Sequence, residues 1–321
     1  FIINFLFANS EQSLDKYLYY LTVIISSVLF YVHFKNNRGN HIFLLRLNFI
    51  LKLICIHSLI NFIAYFFVYE QLFEISSAND YSCRTYNYLF YYASDEVNLS
   101  VMNLFGFEFC RNQGLFWEPG VLQVFLNIFF FLEAFIYKRN RWLLITGFVI
   151  LGTYSTTGIL ILIAQLVYLF IERFNQNKLL LPIIFLSFIP IYFVFSINIE
   201  EKLRGNRVFS FQKRLFDFTQ PLFIATAHPL TGVGLDLDQF QKLRYEFYID
   251  SESLELINET LGVSLKGAGT SAGSANSLTF LLAAMGFPTA FLFVFMFLRQ
   301  KIIDNHRLLF FLIVFVSVMS E

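Results

Sequence analysis

The sequence predicts an all-α fold: a polytopic membrane helix bundle of about nine or more spans, forming a single integral membrane domain over 1–321. Two long outward loops carrying short amphipathic helices complete the predicted architecture. Three observations lead there. The 321 residues are 57% hydrophobic and only 14% charged, where a soluble domain of this size carries about 25% charged residues. Apolar runs of spanning length recur along the chain. The connections between them fall into two kinds, short basic ones and long mixed ones.

Taken in order, the runs are 17–34, 42–69, 119–137, 142–155, 157–171, 179–199 and 276–298, and residues 1–8 and 308–321 read as the ends of two more. At about 1.5 Å per residue the runs 142–155 and 157–171 are short, and each needs a thin or tilted fit. The turn "TYSTTG" (153–158) separates them into two short helices, with one long kinked helix as the alternative. In 42–69, Arg46, Lys52 and His57 are the mid-span charges of note. Position 1 is Phe, and position 321 falls in an apolar run, so the chain is expected to continue past both ends.

Four connections are short and basic: "KNNRGNH" (35–41), "KRNR" (138–141), "ERFNQNK" (172–178) and "RQKIIDNHR" (299–307). Alternating the spans puts all four on one side and the long connections 70–118 and 200–275 on the other. Short Lys/Arg-rich loops mark the cytoplasmic side, so both long loops face outward. The first carries seven acids against Arg84 and Arg111. The second is basic near its start, has helical periodicity over 236–262, suited to an amphipathic surface helix, and is Gly/Ser-rich over 262–277. Cys83 and Cys110 share the first loop, where a disulfide and two free thiols are both open.

Several function classes drop out. The net charge is zero, so the bulk composition gives no sign of nucleic-acid binding. There is no Walker sequence, no GxGxxG and no His/Cys metal spacing. No cofactor and no metal are expected. What remains is a set of polar residues in the outward loops. The segment "RNQGLFWEPG" (111–120) opens the run 119–137. Interfacial placement accounts for Trp117, and Pro119-Gly120 starts a helix. Arg111 and Glu118 are left unexplained by that. In "RGNRVFSFQKRLFDF" (204–218), Arg207 and Arg214 fall on one helical face if the segment is helical, with Arg204 close by. Single arginines beside a membrane also bind lipid headgroups or snorkel. Eighteen residues after Arg214 comes Gly232, within "HPLTGVG" (228–234), a tight turn whose backbone N–H groups, at Gly232 and Gly234, can hold an anionic or polyol ligand. Guanidinium groups match phosphate oxygens in pairs. Several arginines without a nucleotide motif point to a lipid-linked diphosphate, and a nearby carboxylate such as Glu118 can take a proton from an attacking hydroxyl.

The order of these motifs resembles the O-antigen polymerase (Wzy) and O-antigen ligase superfamily. "RNQGLFWEPG" precedes an apolar run, "STTG" (155–158) opens a helix, Arg214 is followed by "HPLTGVG", and "SANSLTFLLAAMG" (274–286) opens a late helix. The resemblance covers about 110–290. It implies an integral membrane glycosyltransferase, metal-independent, at the outer face of the bacterial inner membrane. Such an enzyme moves a growing glycan from undecaprenyl diphosphate to the non-reducing end of a lipid-linked repeat unit. Its partners would be an undecaprenyl-diphosphate-linked oligosaccharide, membrane lipid and, as a further candidate, a chain-length regulator protein. By motif position Arg111 and Arg214 would engage the diphosphate, with Glu118 as candidate base and Arg204, Arg207, Gly232, Gly234, Asn276 and Trp117 toward the substrate. Two departures stand out. Family members often carry "SRTG" where this chain has Ser155-Thr156-Thr157-Gly158, and ligases place a His where Ala275 precedes Asn276. The second departure shifts weight from ligase to polymerase. Trp117 and Phe116 either anchor the motif at the interface or stack on sugar. Asn276 either caps a helix beside Ser274 and Ser277 or contacts substrate. If Glu118 is not the base, His228, Asp217, Asp236 and Asp238 are the other candidates. The competing readings are ligase-type transfer to lipid A core or protein, and a non-enzymatic flippase or transporter.

Overall fold

The structure, a computed structural model, describes residues 2–37, 39–76, 82–93, 101–104, 107–174, 189, 191–193, 195–197, 199–200, 208–244, 255, 259 and 276–320. It is mostly helical and suits a helical membrane protein. Among the described residues four helices are long and apolar enough to cross a membrane: Leu14–Lys35, Gly39–Gln71, Pro119–Ile136 and Ser277–Leu298. Three shorter apolar helices accompany them, Arg141–Thr153, Thr156–Glu172 and Arg307–Met319. The run 179–199 and the Gly/Ser-rich stretch lie largely outside the described residues, as does most of the predicted surface helix 236–262.

The described chain forms two compact units, Phe1–Leu45 with Val208–Asp304, and Arg46–Arg207 with Asn305–Ser320. In the first unit lie α1 (Ile2–Phe7), α2 (Leu14–Asn37), α7 (Val208–Ala227), α8 (Leu237–Arg244) and α9 (Ser277–Leu298), and α3 (Gly39–Val68) begins there. Its core joins Ile224 and Ala225 of α7, Val233, Phe240 of α8 and Ala283 of α9. A second apolar cluster seats Tyr17 and Leu235 against Ala284 and Met285.

The second unit holds most of α3, then α4 (Pro119–Phe131), α5 (Arg141–Thr153), α6 (Thr156–Phe174) and α10 (Arg307–Ser320). Its centre is α4. Pro119 supplies a first-turn residue with no N–H to leave orphaned. Leu122, Leu126, Phe129 and Phe130 then recur at helical spacing and are fully buried. Its apolar window is 72% buried among the described residues, against 6% for α2. After Phe131 the helix widens to a π turn over Leu132–Ile136. The expected break at "TYSTTG" is there: Tyr154 adopts left-handed φ and ends α5, and α6 starts at Thr156.

The first long loop departs from the all-α expectation of short amphipathic helices. It carries an antiparallel sheet of β1 (Phe73–Ser76), β2 (Ser82–Tyr86) and β3 (Phe90–Ala93), and a hairpin of β4 (Val101–Leu104) and β5 (Phe107–Cys110). Segments such as "SCRTY" and "FYYA" are rich in the aromatic and β-branched residues that suit strands. The hairpin turn closes with Leu89 N–H donating to Tyr86 O, and both central residues, Asn87 and Tyr88, have positive φ. Cys83 and Cys110 are free thiols. Cys83 pairs across to Ala93, and Cys110 stands beyond the bridge Tyr92↔Asn112 on the other side of β3. Two strand spacings are about 9–10 Å, too far for a disulfide without backbone movement.

Candidate functional site

The segment "RNQG" folds onto α3 and the α5–α6 turn in the second unit. Arg111 is half-buried, and its Nε donates to the Thr153 carbonyl at 3.0 Å. Asn112 is fully engaged. Its N–H donates to Gly152 O at 2.9 Å and its Nδ2 to Ser58 O at 2.8 Å. Its Oδ1 accepts from Asn61 Nδ2 and from Gly114 N–H. Gly114 has φ +57, and a Cβ there would sit 2.6 Å from Ser58 Oγ and press on Leu122, so only glycine closes the turn. Phe116 stacks on Phe125 of α4 with ring centroids 4.7 Å apart, which favours packing as its role. Trp117 is exposed.

Glu118 takes the N-cap position of α4 with extended backbone, and its carbonyl accepts from the N–H groups of Val121 and Leu122. Its carboxylate makes no cap bond. An acid before a helix ordinarily satisfies the N–H groups of the first turn. Glu118 does not do so.

In the first unit, Arg214 lies on α7, and the condition that its segment be helical is met from Val208 onward. Arg204 and Arg207 fall outside the described residues. One turn after Arg214, Asp217 gathers three elements. Its carboxylate pairs with Arg244 Nη2 of α8 at 2.5 Å. Its carbonyl accepts from Asn276 N–H at 3.1 Å and from Thr279 Oγ1. That carbonyl is open because Pro221, four residues on inside α7, has no N–H to fill it. Asn276 then caps α9, its Oδ1 accepting from Leu278 and Thr279 N–H, which is the capping alternative of the two.

Gly232 and Gly234 also come to the head of α9, but their turn differs from an open N–H cradle. Val233 N–H donates to Ala283 O at 2.9 Å and Gly234 N–H to Ala284 O at 3.0 Å. Gly232 N–H returns to His228 O. The acceptors are exposed because α9 breaks at Gly286, with φ 77 and ψ 163, and because Pro288 has no N–H for Ala284 O. Phe287 N–H turns to Pro229 O. The turn and the broken helix interlock, and the backbone donors expected to meet a ligand are spent.

Two groups in these units carry no sequence expectation. Arg244 is 1% exposed, with Nε donating to Gln220 Oε1 at 2.6 Å beside the Asp217 pair. The spacing of Phe240 and Arg244, four apart, places the arginine on the buried side of α8, and that was the available signal. Glu133, in the run 119–137, is 1% exposed and accepts from Asn48 Nδ2 at 2.7 Å. It adds a buried carboxyl group to the ionisable residues Arg46, Lys52 and His57 of the run 42–69. On the same helix Asn127 donates to Gln123 and receives Gln165, so a polar seam runs along α4. Among the other base candidates, Asp236 is committed to bonds from Ser13, Asp238 and Gln239. Asp238 lies 3.8 Å from Lys16, and His228 Nε2 is within 3.4 Å of Asn9. Among the described residues no group of three or more His, Cys, Asp or Glu side chains could hold a metal ion.

No family model, no curated protein and no solved structure matches the chain.

Proposed function

We propose that the protein is a polysaccharide repeat-unit polymerase. It transfers a growing glycan from undecaprenyl diphosphate to the non-reducing end of a lipid-linked repeat unit, at the outer face of a bacterial inner membrane. The layout that goes with this has nine or more spans, the short basic loops inside and the loops 70–118 and 200–275 outside. In this reading Glu118 removes the proton of the acceptor hydroxyl, whose oxygen attacks the anomeric carbon of the donor. The glycosidic C–O bond breaks, and undecaprenyl diphosphate leaves with the electron pair. Arg111 and Arg214 engage diphosphate oxygens through paired guanidinium N–H groups. Arg204 and Arg207 extend the basic start of the second loop. A chain-length regulator protein is a further partner under this reading.

The observation that carries the reading is the place of Glu118, at the head of α4 with a carboxylate that makes no cap bond, seven residues from an arginine whose Nε is pinned to Thr153 O. The motif order of the sequence supplies the rest. One observation favours a second reading, transport of a lipid-linked glycan: Glu133 with Asn48 is an ionisable group inside the bundle, the usual mark of a conducting path.

Glycan banding from cells separates the two. A polymerase null leaves one repeat unit on the acceptor lipid, and a transport null leaves the acceptor unmodified. Glu118→Gln at normal protein level is expected to cut polymer by about 10²–10⁴-fold, the usual worth of a general base, with lipid-linked single repeats accumulating. Arg111→Ala and Arg214→Ala are expected to abolish polymer, with poor rescue by Lys because a point charge lacks the paired bonds. Near-normal polymer from Glu118→Gln removes Glu118 from the chemistry.

A further inference from the structure

The helices of the second unit act as rulers for the depth of "RNQG". Asn48 of α3 is level with Glu133, near the end of α4 that leads into the basic loop 138–141. Ten residues later, about 15 Å up the same helix, Ser58 is level with Asn112. Above that point the exposed face of α3 does not become polar. Ile60, Ile63, Phe66 and Phe67 are all exposed apolar side chains, and Phe67 stands about 13 Å beyond Ser58. Two further measures agree. α5 has 13 residues and is about 20 Å long, yet its last carbonyls, Gly152 and Thr153, are the ones that meet Asn112 and Arg111. A hydrocarbon core is about 30 Å thick. Gly114 packs on Leu122, one turn below the Glu118–Pro119 entry of α4.

Irregular backbone at membrane depth is tolerated only inside protein or along a water-filled cavity. Here Asn112, Gln113 and Gly114 are buried, while Arg111 is half-exposed and Leu115 is open. Two buried polar atoms at this level, Gln113 Oε1 and Gln123 Nε2, have no protein partner among the described residues. Buried polar atoms of this kind are met by water.

We propose that Arg111–Gly114 is a re-entrant segment that floors a water-filled well. The well opens on the side of Trp117 and accepts an oxyanion at Arg111, about 10 Å beneath the outer edge of the hydrocarbon. The direction of opening rests on the outward placement of 70–118 proposed above; the depth does not.

The test uses the full chain in membrane vesicles, with Cys55, Cys83 and Cys110 replaced by Ala and single cysteines introduced as Leu115→Cys, Ile60→Cys and Phe66→Cys. Leu115→Cys is expected to react with a charged, membrane-impermeant thiol reagent from the outer side. A nitroxide at 115 is expected to read as deep as one at 60, and positions 60 and 66 stay unlabelled by the charged reagent. Inorganic diphosphate should slow labelling at 115, and adding Arg111→Ala should remove that protection. Failure to label from either side, or a nitroxide reading above the lipid phosphates, overturns the well. Labelling without diphosphate protection overturns the oxyanion site. Labelling only from the inner side keeps the well and overturns the orientation of the proposed function.

Discussion

Pro221 and Pro288 each leave a carbonyl open four residues upstream, and in the first unit those two carbonyls, Asp217 and Ala284, receive N–H groups from Asn276 and Gly234. In the second unit the comparable joints are made by amide side chains. Asn112 bridges Ser58, Asn61 and Gly114, and Asn127 bridges Gln123 and Gln165. The difference bears on how a polar turn beside an apolar helix is interpreted. "HPLTGVG" and "RNQG" have the same outward signs, a glycine turn with polar neighbours. In the first the backbone is consumed by a broken helix, so the turn is a clasp. In the second an asparagine takes up the backbone's needs, and Arg111 keeps an exposed part.

The clasp is the place where a single methyl group should do most damage. A Cβ on Gly232 would meet Ala283 O at 2.4 Å, and one on Gly286 would meet Leu230 O at 2.2 Å. Both glycines also have positive φ, +68 and +77. Backbone strain of about 1–3 kcal/mol and overpacking of about 1–3 kcal/mol add, so Gly232→Ala and Gly286→Ala are each expected to cost about 2–6 kcal/mol. The check is the thermal midpoint and the monodisperse yield in detergent. A wild-type midpoint for either variant would mean that turn and helix are not locked together, and "HPLTGVG" would return as a ligand loop.

Part of this was legible in the sequence. Run length and low charge give the four long apolar helices found among the described residues, and "TYSTTG" gives the α5–α6 break, because those signals are local. The sheet of 73–93 was missed, because strand pairing joins segments whose individual preference is weak. Pro288 is visible in the sequence, but which donor would fill the carbonyl of Ala284 depends on a turn more than fifty residues earlier. Glu118 was legible as an acid at a helix start. That its carboxylate makes no cap bond is a matter of geometry, which the sequence does not carry.

The amide joints of the second unit should yield a smaller loss. Asn112→Ala removes the acceptor of Gly114 N–H and Asn61 Nδ2 in a buried position. Leaving buried donors unmet costs about 1–3 kcal/mol. The expected outcome is a lower midpoint with the chain still folded, together with polymer loss, because Arg111 is the next residue. Asn112→Asp keeps the oxygen that accepts from Gly114 N–H and Asn61 Nδ2 but sets a second acceptor oxygen against Ser58 O in place of the donor, so it breaks the joint to α3 while the turn bond stays. If Asn112→Ala left both midpoint and polymer unchanged, the contrast between the units would lose its second half.

The smallest effect concerns how the N-terminal segment holds the clasp. Ser13 Oγ donates to Asp236 Oδ2 at 2.6 Å, while Asp236 Oδ1 accepts from the N–H groups of Asp238 and Gln239 at the start of α8. Burial alone would raise the Asp236 carboxyl, but the bonds from Ser13, Gln239 and Asp238 outweigh it and hold the pKa below the ordinary carboxylate value. A depressed pKa in the folded state means the unfolded chain binds the proton first as pH falls. The stabilisation is therefore complete above the unfolded carboxylate value of about 3.9. It is lost as pH drops from there through the folded value. Removing the Ser13 hydroxyl raises the folded pKa toward the unfolded one and narrows that window. Ser13→Ala is expected to lower the midpoint near neutral pH by the equivalent of about 0.5–1.5 kcal/mol, the net worth of one hydrogen bond. The gap to wild type should close as the buffer is taken below the folded pKa. Melting curves of the two proteins across an acid series would measure this. A gap that stayed constant or widened with acid would show that Ser13 acts by packing alone, and the carboxylate would then have no part in fastening the N-terminal segment to the turn.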